Sequence, residues 1–195
     1  MATGLRVTIT AAALAGFVAP LIVAVWLVQS TLQSAGEHLA TAPDSLPFTF
    51  HDPALPLPDL GFSDSEGRAV TLADFGGRVV LFNLWATWCG PCLHELPSLD
   101  RLQAVLGGTG FTVVALSQDR AGLAEVGPYW ERAGLDHLTV YVDDGMAAGR
   151  AIGALGLPTT LLIGRDGREL GRLEGPAEWD SPAALNYFRT LEREP

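Results

Sequence analysis

The two cysteines of this chain stand in one motif, Trp88-Cys89-Gly90-Pro91-Cys92, at the junction of an apolar run and a helical pattern. Upstream, Val79-Val80-Leu81-Phe82-Asn83-Leu84-Trp85 reads as a buried strand. Downstream, Leu93, Leu96, Leu99, Leu102 and Leu106 recur at helical spacing with polar residues between them. A C-x-x-C at a strand-to-helix turn reads as a redox pair. Cys89 is expected as the first residue of the helix, where unpaired backbone N–H groups and the helix dipole stabilise a thiolate. A thiolate is the attacking species in disulfide exchange, and a second thiol one turn on can resolve the mixed disulfide. A static disulfide and half of a zinc site are the competing readings. Zinc requires further Cys or well-spaced His ligands, and none follow. Covalent haem attachment requires His after the second cysteine, where this chain has Leu93.

Not all of the 48% hydrophobic content belongs to a core. Residues 7–28 contain no charge, and as a helix they would extend about 33 Å, enough to cross a bilayer's hydrocarbon layer. Arg6 precedes the run and the next basic residue is Arg68, which places residues 1–6 in the cytoplasm and the remainder outside it. A cleaved signal peptide is the alternative, but its apolar core is shorter, and the Ala40-Thr41-Ala42 site lies well downstream. The expectation is an uncleaved transmembrane anchor in the cytoplasmic membrane, with the domain facing the periplasm or cell exterior. All 12 basic residues are arginine and the formal net charge is −10, so binding to nucleic acid phosphates is not expected.

Residues 29–57, with Pro43, Pro47, Pro53 and Pro56, read as an extended spacer, and the folded domain is expected over residues 58–195. Residues 61–70 suggest two short strands around a turn, and 71–75 a single helical turn. A buried strand over 79–86 precedes a helix from about Pro91 to Leu106 that contains Pro97. A strand at 111–117, a helix at 123–133 stopped by Gly134, a strand at 138–142 and a helix at 146–155 follow. Residues 159–163 and 169–174 flank Arg165-Asp166-Gly167-Arg168 as an antiparallel hairpin, and Ser181-Pro182 opens a last helix. The fold class is α/β, a mixed central sheet with helices on both faces.

With these motifs in place the chain resembles the thioredoxin superfamily, specifically its membrane-anchored TlpA/ResA/CcmG-like thiol–disulfide oxidoreductases. The resemblance covers about residues 58–192. It rests on Asn83-Leu84-Trp85-Ala86-Thr87-Trp88-Cys89-Gly90-Pro91-Cys92, on Glu95 and Pro97, and on Gly156-Leu157-Pro158-Thr159-Thr160. Gly175-Pro176-Ala177-Glu178-Trp179-Asp180-Ser181 is most similar to the TlpA members. The resemblance implies a thioredoxin-like fold with an N-terminal β-hairpin and an inserted helix–strand near residues 123–142. It implies a cis peptide between Leu157 and Pro158 beside the cysteines, in a loop that receives the substrate peptide together with Trp88, Gly90 and Pro91. Cys89 is the expected nucleophile and Cys92 the buried resolving thiol. Plain thioredoxins carry a buried aspartate where this chain has Asn83, which cannot act as a base. Glu95, one turn beyond Cys92 on the same helix face, is then the candidate proton relay; the bland alternative is a solvated carboxylate.

The function so implied is reduction of disulfides in exported proteins, with apocytochrome c or copper-site assembly proteins as substrates and a DsbD/CcdA-type membrane protein as electron donor. No metal and no cofactor beyond the Cys89–Cys92 pair is expected. A disulfide-forming oxidase is the rival within the enzyme class. The rival outside it is a copper chaperone built on Cys89, Cys92 and His94 or His137.

Overall fold

A computed structural model describes residues 23–26 and 42–193. The chain divides into two units, Met1–His38 and Leu39–Pro195. Of the first, only residues 23–26 are described, and they are helical. The expected anchor over residues 7–28 otherwise lies outside the described residues, as does the stub 1–6. Among the described residues no helix is long and apolar enough to cross a membrane.

The second unit is built on an eight-stranded mixed sheet in the order β1-β8-β7-β4-β5-β6-β2-β3. Its centre is β4 (Val79–Trp85) parallel to β5 (Phe111–Ser117), with every residue of both strands buried. That is why these two segments read as largely apolar runs without alternation: each is covered on both faces. Alternation along β4 divides the core. Leu81 and Trp85 join Leu96, Leu99, Leu102, Phe111, Trp179 and Phe188 on one face. Val80, Phe82 and Leu84 join Phe62, Phe75, Leu116, Ile152 and Leu161 on the other.

Helix α1 (Gly90–Leu106) packs on the first face together with α4 (Pro182–Arg193), while Val126 of α2 (Leu123–Ala133) contributes to the same cluster. The second face is covered by the 3-10 turn Leu72–Phe75 and the short α3 (Ala147–Ala151). The expected hairpin forms as β2 (Gly61–Asp64) and β3 (Ala69–Thr71), and β6 (Tyr141–Val142) joins β2 to β5. β7 (Thr159–Ile163) runs antiparallel to β4 and pairs with β8 (Glu169–Glu174) through the predicted turn. Gly134 adopts φ 65° just past α2, the left-handed conformation in which glycine ends a helix.

The structure corrects the expected spacer over 29–57. Its C-terminal half belongs to the domain: Leu46 is 1% exposed within the core, and β1 (Thr49–Leu55) pairs antiparallel with β8. Prolines favour extended chain, and extended chain is equally what a sheet edge accepts. Pro53 follows a cis peptide at the position where the β1–β8 register shifts, so its missing N–H falls where the ladder is already interrupted. Gly171 permits the close approach, since a Cβ there would meet Thr49 O and Phe50 Cδ1 at 2.8 Å.

Two further segments are shorter than expected. The helix foreseen over 146–155 is confined to Ala147–Ala151, because Met146 takes φ 49° and Gly153 φ 65°, both outside helical space. The strand foreseen over 138–142 is reduced to Tyr141–Val142.

Candidate redox active site

The cysteines sit where β4 hands the chain to α1. Cys89 is the N-cap of α1 and not its first helical residue, with φ −92° and ψ 96°. Its Sγ accepts the N–H of Cys92 at 3.3 Å, which satisfies one of the donors a helix start leaves unpaired. The two cysteines form a disulfide with S–S 1.99 Å and Cα atoms 5.3 Å apart. Cys89 is the outer of the pair at 6% exposure, while Cys92 is fully buried.

Around this disulfide the surface residues Trp88, Gly90 and Pro91 are exposed, with Trp88 at 65%. The Leu157–Pro158 peptide is cis, as the resemblance implies. Pro158 is buried and Leu157 half-buried. The turn is braced from within: Thr159 Oγ1 donates to Gly156 O at 2.7 Å, and Gly175 N donates to Pro158 O at 2.9 Å. Leu155, just before this turn, is 86% exposed.

Glu95 is no solvated helix carboxylate. It is 2% exposed and takes three hydrogen bonds: Asn83 Nδ2 on Oε1 at 2.8 Å, and Ala177 N and Trp179 Nε1 on Oε2 at 3.0 and 2.9 Å. Burial pushes its carboxyl above the ordinary range, against the opposing pull of the bonds from Trp179, Ala177 and Asn83. Asn83, fully buried, also donates to Thr160 Oγ1 at 2.9 Å, so one amide ties the acid to the strand that follows the cis proline. Its Oδ1 has no hydrogen-bond partner among the described residues.

Ala177 and Trp179, which bond Glu95, carry no local sequence signal of that contact. They lie more than eighty residues downstream of Glu95, in the loop between β8 and α4.

The two histidines of the copper reading are not gathered at the cysteines. His94 is exposed on α1, and His137 Nδ1 is bonded to Asp100 Oδ2 at 2.9 Å. Among the described residues no group of three or more His, Cys, Asp or Glu is placed to hold a metal ion.

A C-x-x-C at the N-terminus of a helix that follows the central strand β4, with a cis proline opening the neighbouring strand β7, defines a thioredoxin-fold redox protein. The sequence model of the Redoxin family matches residues 52–187, and the chain belongs to that family. Thiol-disulfide oxidoreductase ResA of Bacillus thuringiensis subsp. konkukian is 32% identical over 118 residues, 60% of this chain and 67% of that protein. The ResA of Geobacillus thermodenitrificans is 35% identical over 111 residues, 57% of this chain and 63% of that one. Among solved structures, a thiol:disulfide interchange protein DsbE from Chlorobium tepidum superposes with a TM-score of 0.63 at 29% identity, covering 71% of this chain and 96% of that one. The chain is a thiol–disulfide oxidoreductase of the TlpA/ResA/CcmG-like kind.

Proposed function

We propose that this oxidoreductase works in the reducing direction on disulfides of exported proteins, tethered to the cytoplasmic membrane by residues 7–28. The observation that supports the direction is the dipeptide between the cysteines. Gly90-Pro91 adds no cation or imidazole that would stabilise a Cys89 thiolate beyond what the helix N-terminus supplies. A C-x-x-C protein is a strong oxidant when its reduced form is strongly stabilised, and a weakly stabilised thiolate leaves the pair reducing.

In this reading Cys89 thiolate attacks one sulfur of the substrate disulfide. A mixed disulfide forms, and the other substrate sulfur leaves as a thiolate that takes a proton from water. Glu95 carboxylate, one helical turn beyond Cys92, takes the Cys92 thiol proton. Cys92 thiolate then attacks Cys89 Sγ, closes the Cys89–Cys92 disulfide and expels the second substrate thiolate, which Glu95 reprotonates. Two electrons pass to the substrate and the site awaits a reductant. The exposed Trp88, Gly90 and Pro91 and the backbone of Leu157 beside Pro158 receive the substrate peptide. A membrane electron donor of the DsbD/CcdA type resupplies the electrons. Apocytochrome c and copper-site assembly proteins are the substrate classes, the second favoured by the TlpA-like Gly175–Ser181 segment.

Equilibration of the full chain against thiol–disulfide buffers tests the direction. A potential near that of thioredoxin, about −270 mV, is expected; one near that of DsbA, about −120 mV, would make the protein an oxidase. Mass spectrometry of the membrane-extracted protein tests the tether, and a mature start at Ala35 or later would remove it.

A further inference from the structure

A second buried carboxylate lies at the end of β5, outside the Glu95 group. Asp119 is fully buried just beyond β5. Its Oδ2 accepts Thr87 N at 2.9 Å and Ser117 Oγ at 2.7 Å, and its Oδ1 accepts Thr87 Oγ1 at 2.7 Å. Its own N–H donates to Ser117 Oγ at 3.0 Å. We propose that Asp119 is a positioning residue for disulfide exchange: it holds both donors of Thr87, and so fixes the Thr87-Trp88-Cys89 loop from which the sulfur attacks.

The β4–β5 ladder ends at the Trp85–Ser117 pair, with Gln118 N still donating to Trp85 O at 2.8 Å. From Ala86 to Cys89 the chain is off the ladder, and Cys89 N donates back to Ala86 O at 3.1 Å. On its downstream side Cys89 is held by α1. On its upstream side the Asp119–Thr87 pair of bonds takes over where the sheet stops. All three donors on the carboxylate, Thr87 N, Thr87 Oγ1 and Ser117 Oγ, come from the loop or from the end of β5. Two bonds to one carboxylate from the backbone and side chain of one residue restrain both that residue's position and its orientation. In-line attack on a disulfide is sensitive to displacements of about 1 Å.

Thr87 has one hydroxyl hydrogen and two carboxylates within reach, Asp119 Oδ1 at 2.7 Å and Glu125 Oε1 at 3.3 Å. The shorter contact takes the hydrogen, so Asp119 is the acceptor. This inference rests on Cys89 as the attacking thiol but not on the net direction of exchange.

The test is the second-order rate of attack by the reduced full chain on a labelled peptide disulfide, followed against pH to the plateau where Cys89 is wholly thiolate. Asp119→Asn and Thr87→Val should each lower the plateau about tenfold, the double variant should lose no more than Asp119→Asn alone, and Thr87→Ser should restore it. Thr87→Val keeps the backbone N–H bond and serves alone if Asp119→Asn does not fold. A plateau unchanged in Thr87→Val, with only the midpoint or the stability moved, would overturn the proposal, as would additive losses. A loss in Glu125→Gln equal to that in Thr87→Val would reassign the hydroxyl and overturn it as well. Exchange that persists in Cys89→Ser would instead refute the assignment of the attacking thiol.

Discussion

Glu95→Gln separates the charge of the buried acid from its hydrogen-bonding capacity, and the structure predicts that the two have opposite effects on stability. Burial raises the carboxyl in the folded state above its ordinary value of 4.5. A group raised on folding binds a proton in the native state that the unfolded chain has already released. Its stabilising contribution is therefore full below about pH 4.5 and is lost as pH rises through the native value, at up to about 1.4 kcal/mol per pH unit.

Gln is permanently neutral, so Glu95→Gln should remove that slope and cost far less at neutral pH than truncation. With its amide turned over, Asn83 Oδ1 would accept from the new amide, and the Nδ2 hydrogens turned away from Thr160 offset part of the gain. Glu95→Ala is the contrast. It strands Trp179 Nε1, Ala177 N and one hydrogen of Asn83, each costing about 1–3 kcal/mol if left unpaired. Water entering so polar a vacancy recovers part of that, leaving a loss of about 4 kcal/mol. Urea unfolding of the oxidised chain between pH 5 and pH 8, at about half-unit steps, reads both effects. A parent-like pH slope in Glu95→Gln, or equal losses in the Gln and Ala variants, would refute the reasoning.

Two other predictions concern parts of the domain away from the cysteines. Leu46→Ala should cost about 2–5 kcal/mol by urea midpoint, since Leu46 is 1% exposed in the core; a value near zero would return this segment to a spacer. Asp100 and Glu169 are affected in the opposite sense to Glu95. Burial pushes both upward, but bonds from His137 and Leu138 on Asp100, and from Arg172 and His51 on Glu169, hold them below their ordinary range. Each therefore adds stability above its ordinary value that disappears as pH falls through the lower native one. Asp100→Asn and Glu169→Gln should flatten the acid limb of the stability profile, and an acid limb unchanged in both would contradict that sign.

What could be foreseen from sequence follows the range of the interactions. β4, β5 and α1 declare themselves because continuous apolar runs and helical spacing are local patterns. The cysteines, the cis proline and Glu95 were found because the motif Asn83–Cys92 and Gly156–Thr160 has a recognisable neighbourhood. The partners of Glu95 were not, because Ala177 and Trp179 reach it from a loop with no periodicity. Thr87 lay inside the quoted motif, yet its role depends on Asp119, thirty-two residues on, which reads only as a polar residue after a strand. β1 was missed for a different reason: proline density specifies an extended backbone, but not whether a strand lies beside it.

Trapping of mixed disulfides tests the central claim most directly, that Cys89 attacks and Cys92 resolves. In reduced Cys92→Ser the attack proceeds but the second displacement cannot, so adducts joined through Cys89 should accumulate with natural substrates in membranes. Cys89→Ser should trap almost nothing, because the remaining thiol is fully buried. Equal trapping by the two variants, or by neither, would contradict the account.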